Sequence, residues 1–186
     1  MNVAVYGGSF NPPHVAHVLA ATYVLAVGDF EELVVVPVFD HAFDKELAPF
    51  EDRVKMTELA MAAVPGVQIS RVEAALGSPS RTLFTLRALS EQHPSWRLRL
   101  VVGSDVLHEA QKWHAFDEIE KLAPLYVLGR VGSPHSAAPE PILPDVSSTR
   151  VRQLLGRAGD PAAAAELERL VPRAVRGYIR EHALYK

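Results

Sequence analysis

Two histidines three residues apart, His14 and His17, close an eleven-residue block that opens on a glycine pair: Gly7-Gly8-Ser9-Phe10-Asn11-Pro12-Pro13-His14-Val15-Ala16-His17. The block follows the apolar run Val3-Ala4-Val5-Tyr6, so it reads as a buried strand, a glycine turn and the start of a helix. These parts suit the handling of a phosphate. Glycine puts no side chain between backbone and ligand and leaves positive φ open. Pro12 and Pro13 stiffen the entry to the helix, whose first turn is expected to carry His14 and whose next turn carries His17. At i and i+3 the two imidazoles share a face, directed at the helix start, where free N–H groups and the dipole attract an anion. No Gly-Lys-Ser/Thr follows, so this is not a Walker loop, and the GxGxxG spacing of a dinucleotide site is missing. Zinc is disfavoured because HxxH lacks the HExxH glutamate and the chain has no cysteine. Each part taken alone also fits a structural role, since glycine turns are common in α/β chains and paired histidines can be core or surface.

A second group, Ser147-Ser148-Thr149-Arg150-Val151-Arg152, joins hydroxyls and helix-start amides to arginine. Such a set can cradle a polyphosphate, because guanidinium adds bidentate hydrogen bonds that lysine cannot make. An ordinary serine cap on an amphipathic helix has the same appearance.

The elements that must position these residues alternate. Strand-like apolar runs occur at Val3–Tyr6, Leu33–Val38, Val67–Ser70, Leu98–Gly103 and Leu125–Gly129, and their continuous hydrophobicity predicts burial on both faces of a parallel sheet. Helical periodicity marks Val15–Val27, Pro49–Val64, Thr82–His93 and Phe116–Leu122. The expected fold is α/β, a doubly wound Rossmann-like sheet whose ligands bind beyond the carboxyl ends of the strands. After Gly132 a proline-rich polar loop leads to a helical tail, with helices expected from Ser147 or Ser148 to about Arg157, over Pro161–Leu170 and over Pro172–His182. One domain is expected over 1–186, with the sheet in 1–132 and the tail in 147–186.

Composition narrows the class further. An apolar content of 48% with balanced charge excludes a disordered chain. No run of about eighteen apolar residues exists and no basic leader precedes the first strand, so a cytoplasmic protein with no membrane partner is expected. Absence of cysteine excludes disulfides and thiol chemistry. The net charge of −3 is uneven: residues 147–186 hold eight Lys/Arg against four Asp/Glu, a balance of +4 that leaves −7 for the rest. The tail arginines lack the aromatic interleaving of a single-strand binder, so no nucleic-acid partner is expected, and those near Ser148 are the candidates for phosphate.

As a whole the Gly7–His17 block resembles the nucleotidylyltransferase signature Gly-Gly-Ser/Thr-Phe-Asp/Asn-Pro-x-His-x-x-His, and the chain is most similar to the bacterial nicotinate-nucleotide adenylyltransferase family. Ser147–Arg152 resembles that family's Ile-Ser-Ser-Thr-x-Ile/Val-Arg, Gly103-Ser104-Asp105 its Gly-x-Asp, and Lys112-Trp113 its Lys-Trp. Arg130 matches a family arginine near the nucleotide phosphates, and the ending Val171-Pro172…Val175…Tyr178-Ile179…Leu184-Tyr185 keeps the family's cadence. The resemblance implies ATP binding by Gly7, Gly8, Ser9, Phe10, His17, Gly103, Asp105, Arg130, Ser147, Ser148, Thr149 and Arg152. It implies a pyridine mononucleotide held by Asn11, Lys45, Arg81, Thr82 and Trp113, with the Trp113 ring stacked on the pyridine. Catalysis would fall to His14, His17, Lys45 and Arg152, and Mg²⁺ would accompany ATP without a dedicated protein cage. A homo-oligomer is left open.

The acceptor motifs depart from the family. Pro37-Val38-Phe39-Asp40-His41-Ala42-Phe43-Asp44-Lys45 replaces Pro-Asn-x-x-Pro-Pro-His-Lys and is closer to the Pro-Val-x-Asp loop of eukaryotic nicotinamide-nucleotide enzymes. Pro79-Ser80-Arg81-Thr82 replaces Pro-Ser-Tyr-Thr, so Arg81 either pairs with the nicotinate carboxylate or faces solvent. Adenylyl transfer from ATP to nicotinate mononucleotide is the expectation. The amide mononucleotide, or both, is the nearest alternative. Phosphopantetheine or cytidylyl transfer, or nucleotide binding without turnover, stand further off.

Overall fold

The computed structural model describes residues 1–40, 47–109 and 112–186. Five strands, β1 (Asn2–Gly8), β2 (Glu32–Pro37), β3 (Val67–Ile69), β4 (Arg97–Gly103) and β5 (Leu125–Leu128), form one parallel sheet in the order β3-β2-β1-β4-β5. The helices are α1 (Val15–Val27), α2 (Phe50–Met61), α3 (Val72–Leu76), α4 (Thr82–Gln92), α5 (Ser104–Glu109), α6 (Phe116–Leu122), α7 (Ser148–Leu155), α8 (Pro161–Leu170) and α9 (Arg173–Glu181). This is the Rossmann-like α/β architecture with helices at its end that the alternation predicts.

The strands read as unbroken apolar runs because both faces of the sheet are covered. Val3, Val5, Val34, Val36, Leu98, Leu100 and Val102 pack against Leu83, Leu86 and Leu89 of α4 and Ile119 of α6. Their neighbours Ala4, Leu33, Val35 and Val101 pack on the other face against Ala20, Ala21 and Val24 of α1. Burying each of the larger side chains contributes roughly 1.5–3 kcal/mol. A third cluster joins Ala16 of α1 and Met56 and Ala60 of α2 to Val151, Leu154, Leu167, Val175 and Ile179 of the three last helices. The helical tail is thereby fixed against the two helices that flank the glycine block.

Strand order creates the crevice. β1 lies between β2 and β4, and the chain leaves β1 toward α1 on one face while α6, after β4, covers the other. Loops diverging from adjacent strands open a cleft at their carboxyl ends. Gly8 pairs in register with Pro37 and Gly103 with Leu128, so the glycine block, the 37–40 segment and the Gly103–Asp105 turn share one edge.

Several boundaries differ from the sequence expectation. His14 is not in the first turn of α1; it is the N-cap, with extended backbone (φ −141°, ψ 175°). α2 begins at Phe50 and stops at Met61, short of Val64. α7 stops at Leu155 and α9 starts at Arg173. α3 and α5 were not foreseen. α3 is five residues long, too short for a period to register, and ends at Gly77 with φ +77°. α5 starts on the residue after β4 with no intervening turn and is six residues long, too short for a period to register. Among the described residues, no helix is long and apolar enough to cross a membrane.

Candidate active site at the carboxyl edge of the sheet

The loop leaving β1 is held by its carbonyls. Gly8 O accepts from Val38 N (3.0 Å), Ser9 O from Arg53 Nη1 (3.1 Å), Asn11 O from Arg152 Nη1 (2.7 Å) and Pro12 O from the Ser148 hydroxyl (2.9 Å). Asn11 Oδ1 accepts from Ala48 N (3.1 Å) and the Tyr185 hydroxyl (2.7 Å). Donors from β2's exit, α2 and the residues before it, α7 and the segment after α9 therefore converge on the five residues Gly8–Pro12. Phe10 takes a left-handed backbone (φ +44°) and is fully buried, edge-on to Tyr6 (5.7 Å) and 4.9 Å from the His17 ring. A Cβ on Gly8 would come within 3.1 Å of that ring, whereas among the described residues no heavy atom lies within 4 Å of one on Gly7. Phe10 can thus offer a nucleotide only its backbone.

His14 and His17 stack, with ring centroids 3.8 Å apart and planes inclined by 29°. The His14 backbone N–H donates to His17 Nδ1 (3.1 Å), so neutral His17 carries its proton on Nε2 and can donate from there. Burial, and then the charge of Arg130, lowers the His14 pKa from 6.5 to about 4. Burial lowers His17 well below its ordinary value too, with smaller contributions from His14 and Arg130. Both rings are neutral near pH 7 and act as N–H donors. His14 Nδ1 is buried and is the side-chain polar atom left without a partner among the described residues.

Across the cleft, Ser104 is fully buried at the end of β4; its hydroxyl donates to Ser133 O (2.7 Å) and accepts from Arg130 N (2.9 Å). This bond places Arg130 beside Asp105, which it contacts at 2.9 Å. A Cβ on Gly103 would lie 2.3 Å from Asp105 Oδ1, so glycine lets the carboxylate fold back over the strand end. Both charges are partly exposed, and such a pair contributes at most about 1 kcal/mol, so a phosphate can compete for Arg130.

On α7 the two arginines part. Arg150 makes a bidentate pair with Glu166 of α8 (3.0 and 2.8 Å), while Arg152 turns to Asn11 O and, more loosely, to Thr149 Oγ1 (3.4 Å). Ser147 caps the helix by accepting from Arg150 N (3.2 Å). The N-termini of α1 and α7 thereby meet on the same loop, which concentrates anion-attracting N–H groups there.

The expected acceptor residues lie along the adjoining rim. Arg81 caps α4 with its side chain exposed and Thr82 opens that helix. Arg81 lines a cleft of about 90 Å³ with Glu73, Gly77, Pro79, Ser80 and Phe84. Phe84 touches His114 (5.9 Å), which brings the Trp113 turn beside α4; Trp113 is half-buried and edge-on to Phe116 (6.2 Å). Lys45 lies outside the described residues.

Sequence reasoning assigned no role to Arg53, Glu73, Ser104 or Tyr185. Arg53 is 1% exposed and, among the described residues, gives its hydrogen bonds to the carbonyls of Ala48, Ser9, Val38 and Phe39. It ties the glycine loop to the 38–39 segment. Glu73 accepts from Phe39 N (2.9 Å) and the Thr85 hydroxyl (2.8 Å). A cation directly before the apolar Val54 on a helix otherwise facing the core was the one signal of Arg53's burial; the others left none.

A parallel doubly wound sheet with paired histidines, two helix N-termini and two arginines at its carboxyl edge defines a nucleotidyltransferase. Comparison places it further. The cytidylyltransferase-like family matches residues 5–154. A probable nicotinate-nucleotide adenylyltransferase of Anaeromyxobacter dehalogenans is 44% identical, covering 99% of this chain and 96% of the relative. One from Myxococcus xanthus is 42% identical over all of this chain and 95% of its own length. The nicotinic acid mononucleotide adenylyltransferase of Plasmodium falciparum, solved with NaAD, superposes with a TM-score of 0.83 at 20% identity, covering 99% of this chain and 97% of that one. The chain belongs to the cytidylyltransferase-like family and, within it, to the nicotinate-nucleotide adenylyltransferases.

Proposed function

We propose that this chain transfers the adenylyl group of ATP to nicotinate mononucleotide, giving nicotinate adenine dinucleotide and pyrophosphate in NAD biosynthesis. The observation that carries the reading is the convergence of His14, His17, Arg152 and Ser148 on one loop, Ser9–Pro12, at the switch point of the sheet. A phosphate oxygen of the mononucleotide attacks the α-phosphorus of ATP in line; that P–O bond forms as the bond to the β-phosphate oxygen breaks, and pyrophosphate leaves. No covalent enzyme intermediate is needed, so catalysis consists of positioning and charge stabilisation.

Neutral His17 donates from Nε2 to an oxygen of the transferring phosphate, and His14 supplies a second donor. Arg130 and Arg152 offset charge on the departing pyrophosphate, with Ser147, Ser148 and Thr149 beside it at the start of α7. Asp105 accepts from the ATP ribose, and Gly7 and Gly8 let the nucleotide approach the backbone. Mg²⁺ enters as part of the ATP substrate. Such an ion is held chiefly by phosphate oxygens and water.

On the acceptor side, Asn11 shapes the loop, Arg81 and Thr82 receive the pyridine carboxylate, Trp113 stacks on the ring, and Lys45 reaches the mononucleotide phosphate. Residues 1–186 work as one domain, supported by the shared core of the tail with α1 and α2. ATP as donor makes the cytoplasm the place of work. The test is purified protein with Mg²⁺, ATP and each pyridine mononucleotide in parallel. Pyrophosphate release with higher kcat/KM for the acid is expected; a preference for the amide overturns the acceptor assignment, and no turnover with either overturns the reaction.

A further inference from the structure

We infer that Tyr185 is a positioning residue for the reaction: its hydroxyl, acting through Asn11, holds the Ser9–Pro12 backbone in the shape that presents His14 and His17. The inference rests on the adenylyl-transfer reading above. The Tyr185 hydroxyl donates to Asn11 Oδ1 at 2.7 Å, and Asn11 is 2% exposed. Burial raises the Tyr185 pKa above its ordinary value, so the hydroxyl keeps its proton and stays a donor. Asn11 is the knot of the loop: its side-chain oxygen also accepts from Ala48 N, and its carbonyl accepts from Arg152.

Backbone geometry makes this more than a packing contact. Tyr185 has φ +60° and Ala183 φ +54°, two left-handed non-glycine residues within three positions. A bulky residue persists there only when its surroundings over-determine it. Leu184 N donates to Ile179 O (3.0 Å), and Leu184 and Tyr185 pack on the cluster that contains Ala16 of α1, Met56 of α2 and Val151 of α7. The chain after α9 is thus bent back so that one phenol reaches the loop between β1 and α1. Small displacements of reacting groups cost large factors in rate. A hydroxyl that fixes this loop therefore acts on kcat.

Tyr185→Phe removes the hydrogen bond and keeps the ring. Expected are a fall in kcat for pyrophosphate release of about tenfold, the equilibrium equivalent of one net hydrogen bond, with KM for both substrates within about twofold. Amide exchange at Ser9–Asn11 should rise by a similar factor. In an Asn11→Ala background the same substitution should change kcat no further, because the link is already cut. An unchanged kcat, unchanged exchange at the loop, or an equal effect in both backgrounds overturns the role. If the parent enzyme turns over neither mononucleotide, the functional reading falls, and loop exchange in Tyr185→Phe still decides whether the hydroxyl holds the loop.

Discussion

The loop after β1 and the rim around Arg81 adjoin through the 38–40 segment but are built by different means. Around Ser9–Pro12, buried or half-buried side chains hold main-chain groups, Arg53 on Ser9 O and Ser148 on Pro12 O, and the buried Phe10 is wedged between Tyr6 and His17. Along the rim, exposed or half-exposed side chains make the contacts: Ser78 on the Asp40 carboxylate (2.6 Å), Ser80 accepting from Asp40 N (3.1 Å), and Arg81 exposed to solvent. Buried bonds to backbone resist change because any substitution strands a desolvated carbonyl. Exposed side-chain pairs contribute little and can be exchanged. The phosphate end is thus set by the fold, and the acceptor end is where a change of residue can alter the choice of substrate.

Replacing Arg53 by Met is the strongest test of that contrast. It leaves the carbonyls of Ser9, Val38, Phe39 and Ala48 without that donor, and a loss of about 3 kcal/mol in urea unfolding is expected. A loss below about 1 kcal/mol would show the buried bonds to be replaceable. His17→Ala should lower kcat by at least about a hundredfold with little change in stability, as removal of a transition-state donor does. Near-normal turnover removes His17 from the chemistry.

Titration sharpens the comparison next. The folded His14 pKa of about 4 lies below the unfolded value of 6.5, so the unfolded state binds the proton first as pH falls. The stability that neutral His14 confers is complete above about pH 6.5 and is lost between there and about pH 4. The change should amount to roughly 3 kcal/mol across that window, and His14→Gln should reduce it in denaturation series at several pH values. An unaltered slope would place the titration elsewhere. The smallest effect belongs to the rim: Arg81→Ala should raise KM for nicotinate mononucleotide by about fivefold and leave KM for the amide unchanged. Equal shifts would exclude pairing with the carboxylate.

The strands and the longer helices were legible because both faces of the sheet are buried and each run of Val and Leu ends at Gly, Pro or charge. The Gly7–His17 and Ser147–Arg152 blocks were legible because their chemistry is local, all within eleven and six residues. Arg53 was invisible because its partners, Ser9, Val38 and Ala48, are scattered along the chain. Ser104 is only the variable position of the Gly-x-Asp motif, yet its hydroxyl places Arg130, twenty-six positions on, next to Asp105. His14 was placed one position too far into its helix, since cap and first turn differ only in backbone angle.

By itself the sequence determined which atoms can handle phosphate and in what order strands and helices occur, because period, turn chemistry and motif are properties of neighbouring residues. Only the tertiary structure decided that Arg152, already singled out by its motif, bonds Asn11 O while Arg150 pairs with Glu166, that His17 accepts on Nδ1, and that Tyr185 reaches Asn11. Each of those outcomes depends on which distant donor fills a given carbonyl or ring nitrogen. That choice is made by the packing of α2, α7 and the chain after α9 around one loop.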